Sequence, residues 1–349
     1  MELRKNKVLL GLSGGVDSAT AALLLKEKGC EVVGYYFDVK GKNEAGRASA
    51  EDVAKQLDIP LIYEDVSADF REIVIENFIT EYLHGRTPNP CVLCNPNIKF
   101  KRLIRHADEI GAYYIATGHY CRILRDETRQ LSYIRRAVND QKDQSYMLYR
   151  LGQDVLSRLI FPLGEFHSKE KTREVARDGK LSNADKKDSQ EICFIEPEDN
   201  YVSYITAAGG TSAPGNFVDR EGGVLGRHKG ILHYTIGQRK GLGIALGKPA
   251  FVTEIRAARN EVVLGDNEEL FACEVQSTNH IFADGNPAAY DGKTVFAKVR
   301  YSAPPSEAVL HVEGDKIKTV FAKPQRAMTP GQSIVFYDDD RLLGGGFIE

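Results

Sequence analysis

The chain has 349 residues, 42% of them hydrophobic and 27% charged, with 46 Lys and Arg against 49 Asp and Glu and a formal net charge of −3 at pH 7. That length allows two or three separate cores, no window is apolar enough for a membrane span, and near-neutral charge excludes indiscriminate nucleic-acid binding by a uniformly basic domain. The run Met1–Lys7 leads into only five apolar-type residues before Ser13, too few for a signal-peptide core, and six cysteines without dense even spacing read as free thiols of a reducing compartment, so a cytoplasmic location is expected.

Val8–Leu12 reads as a buried strand and Ser18–Lys28 as a helix closed by Gly29. The pattern recurs with a strand over 31–37, a helix over 48–57, a strand over 61–66, helices over 69–83 and 97–110, and a strand over 113–117. Strands alternating with helices predict an α/β doubly wound parallel sheet. Ligands of such sheets bind beyond the carboxyl ends of the strands, where Ser13 and Gly118 both fall. From 151 to 180 the pattern is helical and basic. After Pro197 the texture changes to short alternating segments, and 250–255, 261–264, 294–299, 308–312, 316–321 and 333–337 read as strands of a small barrel. The expected domains are 1–200, a nucleotide domain that includes the basic helical part at about 150–185, then a small central domain over 201–268, and a C-terminal β-barrel over 269–349.

The turn after the first strand, Ser13-Gly14-Gly15-Val16-Asp17-Ser18, places two glycines and two hydroxyls at a helix N-terminus but lacks the Lys-Ser/Thr ending of a phosphoryl-transfer P-loop. Such a turn presents several backbone N–H groups, and the helix dipole adds attraction, so an anion is held without a lysine. The pyrophosphate of ATP is the natural guest. Asp17 is either a magnesium ligand on those phosphates or the cap of its helix. In Ala116-Thr117-Gly118-His119-Tyr120, Gly118 lets backbone approach the nucleotide, and His119 is either a substrate contact or a histidine satisfied within its loop. Lys99, Lys101, Arg102 and Arg105 lie in a stretch without acids, Arg135, Arg136 and Lys142 follow, and Arg227, Lys229, Arg239 and Lys240 crowd a Gly-rich segment. These read as patches for a specific polyanion or, for the first run, as a solvated helix face.

Cys30, Cys121 and Cys273 flank or lie within apolar strand segments and read as small core residues. Cys91 and Cys94 occupy a proline-rich loop just before a basic helix, and Cys193 has lysines close by in sequence; basic neighbours and a helix N-terminus are expected to lower thiol pKa. Cys-x-x-Cys alone is half a zinc site, and no second pair at zinc-finger spacing follows, so no firm metal site is expected.

The ordered strings SGGVDS (13–18), GRTPNP (85–90), LCN (93–95), IKF (98–100), ATGHY (116–120), KDQSYML (142–148), KKDSQEICFI (186–195), YTIGQRKGLG (234–243), KVRY (298–301), TPGQ (329–332) and GGG (344–346) resemble, nearly end to end, those of the tRNA-specific 2-thiouridylases. That PP-loop family places sulfur on the wobble uridine of certain tRNAs. The resemblance implies an adenine nucleotide alpha hydrolase-like catalytic fold, ATP with Mg2+, adenylation of the uracil O2, and a persulfide on Cys193 received from a sulfur-donor protein, with Cys94 as the partner thiol. By motif match, Gly11, Leu12, Ser13, Gly14, Gly15, Val16, Asp17, Ser18 and Gly118 bind ATP, with Phe37 against the adenine. Asn89 and Pro90 then face the flipped base, and Cys91, His119, Lys142, Asp143, Gln144, Arg300, Tyr301 and Gln332 match tRNA-binding positions. The C-terminal modules grip tRNA, with the tRNAs for lysine, glutamate and glutamine implied.

The chain departs from the family pattern at Cys91, where many members carry an aspartate three residues before the catalytic cysteine. Cys91 is a spare resolving thiol, a ligand with Cys94 and Cys193 of a [4Fe–4S] cluster, or an inert occupant. Two other readings share parts of the sequence. A nitrogen-transferring PP-loop synthetase has no need of two thiols, and a non-catalytic tRNA-binding protein has no need of a complete loop.

Overall fold

The computed structural model describes residues 6–186, 192–196 and 198–349. Met1–Lys5, Pro197 and the Lys187–Glu191 part of the KKDSQEICFI string lie outside the described residues. Two compact units are formed, one from Met1–Val74, Cys91–Gln190 and Asp340–Leu343, the other from Ile75–Pro90, Glu191–Asp339 and Gly344–Glu349.

The first unit opens with β1 (Lys7–Gly11), α1 (Val16–Glu27), β2 (Glu31–Asp38), α2 (Glu44–Gln56) and β3 (Leu61–Asp65). Val8, Leu9 and Leu10 are fully buried, as the middle of a parallel sheet covered on both faces requires, and Ala19, Ala21 and Ala22 let α1 pack closely. A helical stretch follows, built of α3 (Ser67–Phe70) and a π turn over Arg71–Ile75; the chain then runs into α4 (Glu76–Leu83), which belongs to the second unit. The next, expected from 97, begins earlier. It is α5 (Pro90–Cys94), a π turn over Asn95–Lys99 and α6 (Phe100–Glu109), with proline at the first helical position, where its missing N–H costs nothing.

The unit continues with β4 (Tyr114–Ala116), β5 (Cys121–Asp126), β6 (Leu131–Arg136), α7 (Gln153–Leu156), β7 (Leu159–Ile160) and α8 (Lys169–Asp178). The parallel sheet has the order β3-β2-β1-β4-β7, with Leu9 paired to Val33 and to Ile115. The helical reading of 151–180 is corrected here, because Pro162 and Gly164 interrupt it and the two-residue β7 joins the sheet edge. The β5–β6 hairpin pairs Ile123 with Ile134 and was not among the expected strands. Its arginines are matched within the unit: Arg122 and Arg135 each lie 2.6 Å from the Asp340 carboxylate, and Arg136 lies 2.9 Å from Asp140.

The basic run on α6 is likewise paired. Arg102 meets Asp69 and Glu64, and Arg105 meets Glu64 at 2.7 Å, so these two side chains are ion-paired within the unit. Burial alone would raise the Glu64 carboxyl, but hydrogen bonds from Tyr35 (2.5 Å), His106 (2.9 Å) and Arg105 (2.7 Å) outweigh it and hold the group at about 2. A carboxyl depressed in the folded state stabilises above its unfolded pKa and loses that contribution as pH falls through the folded one. Between pH 4.5 and about 2, wild-type protein should therefore lose roughly 2–3 kcal/mol of stability that Glu64→Gln does not lose, read from urea midpoints across that window.

The second unit holds α9 (Tyr201–Ala207), β8 (Gly215–Val218), β9 (Val224–His228), β10 (Phe251–Arg256) and β11 (Glu261–Gly265), whose strands form a sheet of order β10-β11-β8-β9 over Phe217, Val252, Val262 and Leu264. The predicted strands at 250–255 and 261–264 thus belong to this sheet and not to the barrel. The barrel itself is β12 (Phe271–Phe282), β13 (Thr294–Lys298), β14 (Ser306–Glu313), β15 (Lys316–Arg326), β16 (Ser333–Asp338) and β17 (Arg341–Ile348). Its order is β12-β15-β14-β13-β16-β17, and pairing of Ser277 with Ile348 closes it, which removes the sheet edges. Cys30 and Cys121 are buried as expected, but Cys273 is exposed on β12 and is no core residue.

Candidate active site

The first unit builds its site at the carboxyl end of β1. Buried Leu12 anchors the start of the turn, and Ser18 closes it: the Ser18 hydroxyl accepts from the Ser13 N–H (3.1 Å) and donates to the Gly15 carbonyl (3.1 Å). Gly14 adopts φ +72°, the left-handed region, and a Cβ there would lie 2.7 Å from the Ser49 backbone carbon. Its carbonyl is turned away by three donors, Ser49 Oγ (3.1 Å), Asn183 Nδ2 (3.1 Å) and Lys186 Nζ (3.5 Å). The N-cap of α1 is Gly15, with no side-chain cap. The first N–H groups of α1 are therefore left for an anion.

Asp17 does not cap α1, which corrects one of the two expectations for it. Its carboxylate is held by Lys169 (2.7 and 2.8 Å) and by the Tyr120 hydroxyl (2.7 Å), which also lies 2.7 Å from Thr172 Oγ1. Gly118 packs directly on this assembly. A Cβ on it would sit 2.8 Å from the Asp17 carbonyl carbon and the Ser18 nitrogen, so the close approach that glycine permits is to the turn's own backbone.

Beside the carboxyl ends of β2 and β4 lie Phe37, Lys99 and His119. Phe37 is half-buried, stacks on Tyr35 at 5.9 Å, and has the Lys99 ammonium 6.0 Å from its ring centre. His119 contacts Thr117 Oγ1 through Nδ1 (2.7 Å) and Lys99 through Nε2 (3.5 Å), with Phe100 and Phe161 against its ring. Burial, then the Lys99 charge, push its imidazole well below the ordinary value, so it is neutral at pH 7. An ammonium only donates, which assigns the ring proton to Nδ1.

Cys94 ends α5 as a buried thiol, 9% exposed, and the next residue, Asn95, donates to the Met147 carbonyl at 2.8 Å, tying the LCN string to KDQSYML. Cys91 lies on the exposed side of the same short helix, yet desolvation pushes its thiol up against the opposing pull of Lys99. The expected lowering by basic neighbours is therefore corrected for Cys91. Asp143 is 2% exposed and accepts from the Ala137 N–H (3.1 Å), the Ser145 N–H (3.3 Å) and the Ser145 hydroxyl (2.8 Å), while Gln144 accepts from the Tyr120 N–H (2.9 Å). These two side chains brace the loop; Lys142 is half-buried beside them.

In the second unit the Thr87–Pro90 loop is held by the TPGQ string. The Thr87 N–H donates to the Pro330 carbonyl (2.8 Å), and Gln332 Nε2 donates to the Thr87 carbonyl (2.7 Å), so Gln332 positions the loop that presents half-buried Asn89 and Pro90. Arg300 donates to the Arg326 carbonyl (3.4 Å), and Tyr301 is exposed with the Lys298 ammonium 5.8 Å from its ring. Cys193 is exposed in a turn closed by the Ile195 N–H on the Ile192 carbonyl (2.9 Å), and buried Phe194 pins that turn edge-on to Phe78 at 5.3 Å.

Sequence reasoning missed Ser49, Lys169 and Asn183, which carry no local signal, and gave no role to Lys186, which opens a quoted string. Among the described residues, no group of three or more His, Cys, Asp or Glu is placed to hold a metal ion, and no helix is long and apolar enough to cross a membrane.

A parallel α/β sheet whose first βα turn is a self-closed SGGVDS loop defines a PP-loop nucleotide-binding protein. Residues 6–197 match the tRNA methyl transferase HUP domain, 203–266 the tRNA methyl transferase PRC-barrel domain, and 272–348 the Aminomethyltransferase beta-barrel domain. Over 365 residues, covering 99% of both chains, the sequence is 47% identical to tRNA-specific 2-thiouridylase MnmA 1 of Clostridium botulinum (strain Okra / Type B1). It is 46% identical over 364 residues to tRNA-specific 2-thiouridylase MnmA of Clostridium perfringens (strain 13 / Type A), again covering 99% of each. The chain belongs to the tRNA-specific 2-thiouridylase family, and with the PP-loop comes ATP binding.

Proposed function

We propose that the protein is a tRNA-uridine 2-sulfurtransferase: it adenylates O2 of the wobble uridine with ATP and replaces that oxygen with sulfur carried as a persulfide on Cys193. The observation that carries the reading is the SGGVDS turn, closed by its own hydroxyls and with α1 left uncapped, in a chain that also bears thiols at 94 and 193.

Oxide is a poor leaving group, so activation comes first. The N–H groups at the start of α1 and the α1 dipole hold the pyrophosphate as it departs, and Phe37 offers a flat apolar surface to the adenine, with Gly118 keeping the β4 loop tight on the turn. Mg2+ would ride on the nucleotide phosphates, and Asp17, the carboxylate of the loop, would reach it by exchanging its Lys169 and Tyr120 partners. The base, already unpaired in an anticodon loop, is taken between Asn89 and Pro90. Neutral His119 contacts tRNA as a hydrogen-bonding rather than a charged group, together with Lys142, Arg300 and Tyr301, while Asp143, Gln144 and Gln332 act by holding their loops.

Exposed Cys193 receives its outer sulfur from a donor protein. That sulfur attacks C2 and AMP leaves; the Cys94 thiolate then attacks the Cys193 sulfur, leaving 2-thiouridine and a Cys94–Cys193 disulfide that an external dithiol reduces. The electrons balance, because two thiols are oxidised as one sulfane sulfur is reduced. In this reading residues 1–200 carry the ATP chemistry, 201–268 and 269–349 grip tRNAs such as those for lysine, glutamate and glutamine, and the cytoplasm supplies the reductant.

Purified protein should release pyrophosphate from ATP only when unmodified tRNA is present, and, once a persulfide donor and a dithiol are added, mass spectrometry of the digested tRNA should show 2-thiouridine. Pyrophosphate release with a small-molecule acceptor and ammonia or an amino acid, but not with tRNA, would replace the reading with a nitrogen-transferring synthetase.

Cys91 is kept as a protonated thiol by its surroundings and is assigned no step. Cys91→Asp should keep most of the wild-type thiolation rate, whereas Cys94→Ala should not. After anaerobic purification, stoichiometric iron lost from the Cys91, Cys94 and Cys193 variants together with activity would replace the persulfide route with a [4Fe–4S] cluster route.

A further inference from the structure

We propose that Lys186 supplies, from a distant stretch of chain, the phosphate-binding cation that the SGGVDS turn lacks. Its ammonium lies 3.0 Å from Ser49 Oγ and 3.5 Å from the Gly14 carbonyl, both neutral acceptors, at the rim of a turn whose N–H groups await an anion. Among the described residues no carboxylate pairs with it. The neighbouring candidates are engaged elsewhere: Asp185 is held by Arg177 at 2.6 Å, and Asp17 by Lys169 at 2.7 Å.

The backbone that carries Lys186 is fixed. Ser182 exchanges two hydrogen bonds with Gln56 (2.9 and 2.7 Å), Arg173 of α8 donates to the carbonyls of Ala184 and Lys186 (both 3.2 Å), and Asn183, 8% exposed, donates to the Gly14 carbonyl. Only the flexible side chain is left to move. A phosphate oxygen is a far stronger acceptor for an ammonium than an amide carbonyl. When ATP occupies the turn, Lys186 leaves the Gly14 carbonyl for the β- and γ-phosphates, and Ser49 and Asn183 keep that carbonyl turned away. The loop's shape therefore survives the exchange. The lysine neutralises charge that grows on pyrophosphate as the bond to AMP breaks, so it acts in substrate binding and again in the transition state.

This inference rests on the sulfurtransferase reading, and wild-type protein in the same assay separates the two: absence of tRNA-dependent pyrophosphate release from wild type removes the reading itself. Given that activity, Lys186→Gln keeps a hydrogen-bond donor for Ser49 and Gly14 but loses the charge, and Lys186→Arg keeps the charge. Lys186→Gln should weaken ATP binding and slow pyrophosphate release by roughly 10–100-fold in kcat/KM, the loss of one charge-assisted contact, with AMP binding nearly unchanged. Lys186→Arg should restore most of it. Wild-type kinetics in Lys186→Gln, or equal losses in the Gln and Arg variants, would overturn the proposal and leave Lys186 a structural brace of the turn.

Discussion

Cys193→Ser will abolish 2-thiouridine formation, by at least roughly a thousandfold, as removal of a covalent nucleophile does elsewhere, while tRNA-dependent pyrophosphate release continues. The two readouts part because the chemistry is sequential. Adenylation uses the SGGVDS turn and the tRNA, and a serine at 193 disturbs neither; a hydroxyl, however, cannot carry a sulfane sulfur. The residue's surroundings favour a clean result, since Cys193 is exposed and buried Phe194 pins the turn. Cys94→Ala should also stop turnover, but for another reason: it leaves the persulfide sulfur with no thiol to resolve it, and on non-reducing peptide mapping the variant should lack the Cys94–Cys193 disulfide expected of oxidised wild-type protein. Wild-type 2-thiouridine levels in Cys193→Ser would sink the mechanism, and loss of pyrophosphate release with loss of thiolation would place Cys193 in the activation step.

Gly14→Ala will lower ATP-dependent pyrophosphate release on the order of 100–1000-fold, comparable to losing an aligned set of anion donors. Two costs combine. A Cβ in the left-handed region costs about 1–2 kcal/mol, and here it would also fall 2.7 Å from the Ser49 backbone carbon, so either α2 at Ser49 or the turn itself must shift. A shift of the turn releases the Gly14 carbonyl from Ser49 and Asn183 and spoils the direction of the N–H groups. Gly15 tests the argument one residue away: its φ is −86°, and a Cβ would meet only Ser13 Oγ at 3.3 Å. Thermal unfolding midpoints should fall more for Gly14→Ala than for Gly15→Ala, and tRNA binding should survive both. An unchanged ATP affinity in Gly14→Ala would show that the turn does not hold the nucleotide.

Elements with uniform surroundings are legible from the order of residues alone. β1 and β2 are legible as apolar runs because a parallel sheet buries both faces, and the SGGVDS turn is legible because its glycines and hydroxyls act on their own backbone within five residues. Long-range partners are invisible to such patterns. The β5–β6 hairpin escaped because its arginines break the apolar alternation, and two of them, Arg122 and Arg135, find their carboxylate in Asp340, about two hundred residues away in the chain. Charge on α6 looked free for a polyanion until Glu64 and Asp69 were brought beside it. A neighbouring lysine lowers a thiol's pKa, but at Cys91 desolvation by the protein packed around the sulfur outweighs Lys99 and the shift is upward. The loop that lacks a lysine in sequence has Lys186 at its rim in three dimensions, because folding brings the residues after α8 back onto Gly14, and no periodicity or spacing encodes which carbonyl a distant ammonium will meet.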